Sequence, residues 1–243
     1  MDRNTIKAEW LPIDAGLRAW YAAPSGGGPY PVVLCFIEAF GVTDHFRNVA
    51  ERFAEAGFCA VVPDIYHGDV FAYDDLDSAL GRIRSLDEKQ VMSEAAATLD
   101  TVARRPECDE NSTMLVGFCL GGRLAFRGHA VLADRVAASA CFYGGGIAPR
   151  QDRFGREALL GHIKRMRAPL LLLYGAQDQS IQPDEHGRIA EALSGAGLRY
   201  GLHVFPDAGH AFFCDERQNY NAAVAGEAWT LMLDFFRRQS VKA

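Results

Sequence analysis

Gly117-Phe118-Cys119-Leu120-Gly121-Gly122 closes an apolar run at 114–118 and opens an amphipathic stretch at 121–132. The pattern Gly-x-Cys-x-Gly is the thiol counterpart of the Gly-x-Ser-x-Gly nucleophile elbow. A nucleophile held this way sits on a sharp strand-to-helix turn. Side chains two residues to either side would collide, so those places call for glycine or something as small. The helix starting at the turn aims its free N–H groups and positive dipole end at Cys119. Both favour thiolate over thiol and an anion forming beside it. A buried cysteine at a glycine packing contact would use the same residues. The position between a predicted strand and a predicted helix favours the nucleophile.

Outward from this turn, apolar runs alternate with amphipathic stretches. The run at 32–37 is continuous, as in a strand buried on both faces. Thr43 or Asp44 can cap a helix reaching residue 56 and stopped by Gly57. Further strands are predicted at 58–62, 136–143, 169–174 and 202–205. A long polar loop and a helical stretch follow the strand at 58–62, the last helix of that stretch at 88–103, and further helices are predicted at 159–166, 184–196 and 221–238. The last carries Ala225, Trp229, Met232 and Phe236 on one stripe. Ahead of these, 6–13 and 17–23 read as two short strands joined by a turn at 14–16. Ser25-Gly26-Gly27-Gly28-Pro29 reads as a loop, because too little precedes it to fold alone. The expectation is one α/β domain over 1–243, with a mostly parallel sheet of about eight strands covered by helices on both faces. Chemistry in such sheets sits beyond the carboxyl ends of the strands.

The elbow predicts its partners in the order nucleophile, acid, histidine. The strand at 169–174 is followed by Gly175-Ala176-Gln177-Asp178, and the last strand by Pro206-Asp207-Ala208-Gly209-His210. Asp178 alone could be a helix cap and His210 an ordinary loop histidine, but together they fill both slots in order. Asp184 suits a helix start after Pro183, and Asp207 suits a turn. His45, His129, His162 and His186 fall on helices and His203 on a strand. Cys119 is therefore the expected nucleophile, His210 the base and Asp178 its orienting acid. The N–H of Leu120 is expected to form half of an oxyanion hole.

Composition bounds the partners. The chain has 243 residues, 49% of them hydrophobic, and a net charge of -6, which argues against broad attraction to nucleic acid or anionic membranes. It leaves room for a local basic pocket that takes an acidic small molecule. The polar first residues and the lack of a long apolar run predict no secretory leader and no membrane span. A cytoplasmic setting with free thiols follows. Cys35, Cys59 and Cys141 are expected in the core, and Cys108 and Cys214 in loops without a task. Spacings for a metal or a dinucleotide are missing, so neither metal nor cofactor is expected. Oligomeric state is not legible.

These motifs give the chain a resemblance to the dienelactone hydrolase family of the α/β-hydrolase fold, running from residue 6 to the C-terminal helix. It rests on Ile37-Glu38-Ala39-Phe40-Gly41-Val42, Pro63-Asp64-Ile65-Tyr66, the elbow, Tyr143-Gly144-Gly145, Gly175-Ala176-Gln177-Asp178 and Ala208-Gly209-His210-Ala211-Phe212. The resemblance implies hydrolysis of small carboxylic esters or lactones through a Cys-His-Asp triad and an acyl-thioenzyme. It implies that Glu38 contacts the resting Cys119 and is displaced by substrate, and that the N–H of Ala39 is the second oxyanion donor. In the family, arginines hold a substrate carboxylate. One of them follows the histidine by four residues, where this chain has Cys214. Arg217 is the candidate substitute, with Arg82 and Arg84 for the other arginine. Tyr66, His67, Phe71 and Tyr73 are candidates for the pocket mouth, and 150–166 for part of a lid. Thioester or phosphotriester cleavage at the same thiol stays open as an alternative. So does a non-catalytic binding protein.

Overall fold

The computed structural model describes residues 5–240. Residues 1–4, part of the polar stretch read above as no leader, and residues 241–243 lie outside the described residues. One eight-stranded sheet runs in the order β1-β2-β4-β3-β5-β6-β7-β8. Its strands are β1 (Ile6–Pro12), β2 (Arg18–Pro24), β3 (Tyr30–Phe36), β4 (Cys59–Pro63), β5 (Cys108–Phe118), β6 (Val136–Phe142), β7 (Leu170–Gly175) and β8 (Tyr200–Phe205). β2 runs antiparallel to both β1 and β4, and β3 to β8 are mutually parallel. The central strands are buried on both faces, which is why they read as unbroken apolar runs.

The described residues form six α-helices: α1 (Asp44–Glu55), α2 (Leu76–Ser85), α3 (Glu88–Ala103), α4 (Leu120–Val131), α5 (Pro183–Gly195) and α6 (Ala222–Ser240). α1 and α6 share one face, where Phe53 packs on Trp229 with ring centroids 4.6 Å apart. α3 and α4 pack together, α4 on β5 and β6 and α3 on β4 and β5. From β3 the chain steps to β4 on one side, then crosses back to β5 on the other. The ends of β3 and β5 therefore flank the switch point, where ligand crevices open in such sheets. Among the described residues, no helix is long and apolar enough to cross a membrane.

Three local expectations change. β5 begins at Cys108, not at 114, so Cys108 is a strand residue. A register shift between Pro31 and Val32 lets the polar residues 110–112 bulge out, which hid the first half of the strand. Its thiol lies 3.3 Å from the Tyr21 hydroxyl. The helical stretch expected ahead of 88 holds α2, capped when the Asp75 carboxylate accepts from the Ser78 N–H. The helix expected at 159–166 is a short 3-10 segment, Leu160–Arg165. The last strand begins two residues earlier, at Tyr200.

The elbow is the tightest backbone approach in the fold. A methyl on Gly117 would overlap the carbonyl oxygen of Gly121, and one on Gly121 would overlap the carbonyl oxygens of Phe36 and Ile37. The start of α4 therefore lies directly on the end of β3. Gly121→Ala should cost at least about 3 kcal/mol, because only backbone can yield. Urea unfolding checks this, and a midpoint near wild type would contradict it.

Candidate active site

Cys119 carries the turn from β5 into α4 at φ 54°, ψ -114°. Left-handed backbone is uncommon for a residue with a side chain and marks a position held by its surroundings. The holding contacts are on both sides. The Cys119 N–H donates to the Phe142 carbonyl at 3.0 Å, and its carbonyl accepts from Gly122 at 3.0 Å and Arg123 at 3.3 Å. The side chain is thereby thrust up beyond the sheet.

His210 lies in the loop after β8. Its Nε2 is 3.1 Å from the Cys119 Sγ, and its Nδ1 is 2.7 Å from an Asp178 carboxylate oxygen. The other Asp178 oxygen accepts the N–H groups of Ser180 at 2.7 Å and Ile181 at 3.2 Å. Asp178 therefore does cap the turn toward α5 and serves His210 as well. Its side chain is 1% exposed and that of His210 is 18% exposed. Burial by itself favours neutral imidazole. The charge of Cys119 and the hydrogen bond to Asp178 outweigh it and raise the His210 pKa from 6.5 to about 10.

Glu38 follows β3 and is 1% exposed. The Tyr143 hydroxyl donates to one of its oxygens at 2.9 Å, and the Arg217 guanidinium lies 3.3 Å from the other. The contact with Cys119 that the resemblance implies is not formed; the thiol faces His210 instead. The reason is electrostatic. A buried carboxylate needs a countercharge, and Arg217 supplies one. Cys214, at the place where the family carries an arginine, is buried against Tyr73. Burial first, then the Glu38 charge, pushes its thiol up to about 12, so it stays protonated and unreactive.

A cavity of about 550 Å³ opens above Cys119. Its floor holds Cys119, Leu120, Ala39, Phe40, His210 and Arg217. No protein acceptor faces the N–H of Ala39 or Leu120 among the described residues. One wall is the α2 stripe Leu76, Leu80 and Ile83; another is the segment 149–156. Part of the region expected as a lid therefore does line the site. Gly146 and Glu157, which flank the segment, are tied to the body by Arg123 on α4. Its side chain is fully buried, pairs with Glu88 at 2.7 Å, and donates to both backbone carbonyls.

Other expected lining residues lie elsewhere. Arg82 sits over the Tyr66 ring at 4.9 Å and toward Asp69 at 3.6 Å. His67 pairs with Glu94 at 2.9 Å. Phe71 packs on the buried Tyr66, with centroids 6.2 Å apart, and Tyr73 reaches Thr43 at 3.0 Å. The loop after β4 turns back at His67 and Gly68, both at positive φ, which carries these side chains away from the cavity wall. Arg84 stays near the rim, 5.7 Å over Phe154. The rejected histidines have other partners: His45 Asp215, His129 Ser139, His162 Glu157, and His186 the Tyr174 ring. Asp184 pairs with Arg150 and Arg188. Sequence reasoning missed Tyr143 as a site residue, although it stands at a strand end like the others. It also missed the α2 stripe, whose spacing at 76, 80 and 83 was a readable signal. Among the described residues, no group of three or more His, Cys, Asp or Glu is placed to hold a metal ion.

Residues 17–240 match the profile of the dienelactone hydrolase family. A provisionally named carboxymethylenebutenolidase of Methylorubrum extorquens is 32% identical over 235 residues, covering 95% of this chain and 80% of its own. A namesake from Escherichia coli is 33% identical over 231 residues, covering 92% and 83%. The crystal structure of a provisionally named dienelactone hydrolase from Klebsiella pneumoniae superposes with TM-score 0.89 at 29% identity, covering 97% of this chain and 100% of that one.

His210 binds its proton more tightly folded than unfolded. Its contribution to stability is complete below pH 6.5 and is lost as pH rises through about 10. Asp178→Asn should therefore narrow its stability gap from wild type as pH climbs across that window, and NMR should show His210 titrating lower. A constant gap together with an unmoved resonance would contradict the assignment.

Proposed function

The chain belongs to the dienelactone hydrolase family, and on that premise we propose that it cleaves small carboxylic esters or lactones through Cys119, His210 and Asp178. The observation that carries this reading is the unbroken chain from the Cys119 sulfur through the His210 ring to the Asp178 carboxylate. The raised His210 pKa keeps the ring protonated at neutral pH, ready to give a proton to a departing alkoxide.

In the proposed reaction the thiolate attacks the ester carbonyl. Negative charge moves to the carbonyl oxygen, where the N–H groups of Ala39 and Leu120 would receive it. Collapse breaks the carbon–oxygen ester bond, and the His210 imidazolium gives its proton to the departing alkoxide. The product of this half is a thioester on Cys119. Neutral His210 then takes a proton from water, hydroxide attacks the thioester, and the carboxylic acid leaves as the thiolate returns. Asp178 fixes the tautomer throughout. For a lactone, the departing alkoxide remains tethered to the acyl group. Free cysteines throughout the described chain fit a cytoplasmic setting.

Glu38 enters as a restrained carboxylate. Held by Arg217 and Tyr143, it leaves the thiol free to pair with His210.

A panel of p-nitrophenyl acetate, enol lactones and aryl esters tests the reaction. Cys119→Ala should lower kcat/KM at least about a thousandfold. Full activity in that variant would refute the nucleophile, and no cleavage by wild type would favour a binding protein. Iodoacetamide labelling at neutral pH tests the restraint. Arg217→Met should slow alkylation of Cys119, and adding Glu38→Ala should restore it. Unchanged rates in both would remove Glu38 from the mechanism.

A further inference from the structure

Five arginines line the cavity above Cys119 in a chain whose net charge is -6. Four of them have a carboxylate partner, although two share one. Arg150 and Arg188 share Asp184 at 2.8 and 2.7 Å, Arg156 pairs with Asp152 at 2.8 Å, and Arg217 with Glu38 at 3.3 Å. Arg153 has no carboxylate partner among the described residues. Its guanidinium lies over the Phe154 ring, 4.5 Å from the centroid. Arg84, at the end of α2, reaches the same ring at 5.7 Å and is also without a carboxylate among the described residues. One aromatic plate at the cavity rim thus carries two uncompensated cations, brought by two different chain segments.

The cavity wall also carries an apolar stripe. Leu76, Leu80 and Ile83 present one stripe of α2, and Phe154 and Ile181 add to it. Leu76 is 49% exposed, a large apolar side chain left in water at the mouth. A cavity of about 550 Å³ falls within the roughly 300–1,000 Å³ range that takes drug-sized ligands. An ester of acetate size would leave the stripe and the plate unused.

We propose that the cavity recognises an elongated ester or thioester whose scissile carbonyl is followed by an apolar segment and then by a terminal anion, with the anion held at Arg153 and Arg84 beside Phe154. This rests on the ester-hydrolase reading of the same site and adds the substrate class to it. A carboxylate would accept from the planar guanidinium forks, and a phosphate would meet the same cations. The apolar segment gains by leaving water along α2. The anion gains from charges that the protein has not already neutralised.

The test is a matched series of p-nitrophenyl esters. Monoesters of glutaric, adipic and suberic acid are compared with neutral esters of equal chain length, and an ω-phosphonate is included. Wild type should show a lower KM for an anionic ester than for its neutral mate, with an optimum at one length, and the preference should fade with added salt. In Arg153→Ala the ratio of the two KM values should fall by about fivefold, and Arg84→Ala should lower it too. Arg199→Ala, which removes the same charge just before β8 at the opposite end of the sheet, should keep the ratio. A preference for the phosphonate over the carboxylates would identify a phosphoryl terminus. Equal KM values within each pair in wild type, or an unchanged ratio in Arg153→Ala, would overturn the proposal. If wild type cleaves no ester, the hydrolase reading fails separately. Calorimetric binding of monomethyl adipate to Cys119→Ala then decides the subsite: weaker binding on adding Arg153→Ala supports it, and equal binding overturns it.

Discussion

Everything at the site depends on one steric constraint, the contact of α4 against the end of β3 at Gly121. With no side chain there, the carbonyls of Phe36 and Ile37 lie against the helix backbone. That closeness sets Cys119 on its strained turn and brings the residues after β3 beside the residues after β5. Ala39 and Leu120 become neighbours across the switch point for the same reason. The positions of Cys119, of the proposed oxyanion donors and of Glu38 are thus consequences of how closely two backbones approach. A strained conformation persists only when its surroundings over-determine it, and here the hydrogen bond to the Phe142 carbonyl and those from the Gly122 and Arg123 N–H groups do so.

On that frame the buried charges are arranged in matched groups. Asp178 accepts two backbone N–H groups and faces His210; Glu38 faces Arg217 and Tyr143; Arg123 faces Glu88 and two carbonyls. Each group ties separate chain segments together, because an unpaired charge at such depth would be costly. Arg123 joins the helix that starts at the nucleophile to the segment that walls the cavity. The cations left unmatched are at the rim, where water and ligand reach them.

Much of this was legible in the residues. Continuous apolar runs marked the parallel strands, and the strand-end rule led to Cys119, Asp178 and His210, which the fold brings into hydrogen-bonding contact. These features are local, because period, capping and turn chemistry are written within a few residues. The contacts of Glu38 were not legible. Its partners, Tyr143 and Arg217, lie far along the chain, and no local pattern says which charge a buried carboxylate will meet. The first half of β5 was hidden because its polar residues bulge out of the ladder. The cavity wall was half legible: the lid region was expected, but His67 and Phe71 were expected at the mouth and are turned away by the reversal at His67 and Gly68, and Arg82, expected on a substrate carboxylate, lies over Tyr66 instead. A loop's direction depends on φ signs that hydrophobic patterning does not carry.

The central proposal is that an acyl group passes through the Cys119 sulfur. Rapid-quench mass spectrometry of the intact protein during hydrolysis of a slowly deacylating aryl ester addresses it directly. The expected result is one equivalent of p-nitrophenol released in a burst, with a matching single-acyl mass gain that maps to the peptide holding Cys119. Steady hydrolysis with no burst and no adduct, or an adduct on another residue, would contradict it.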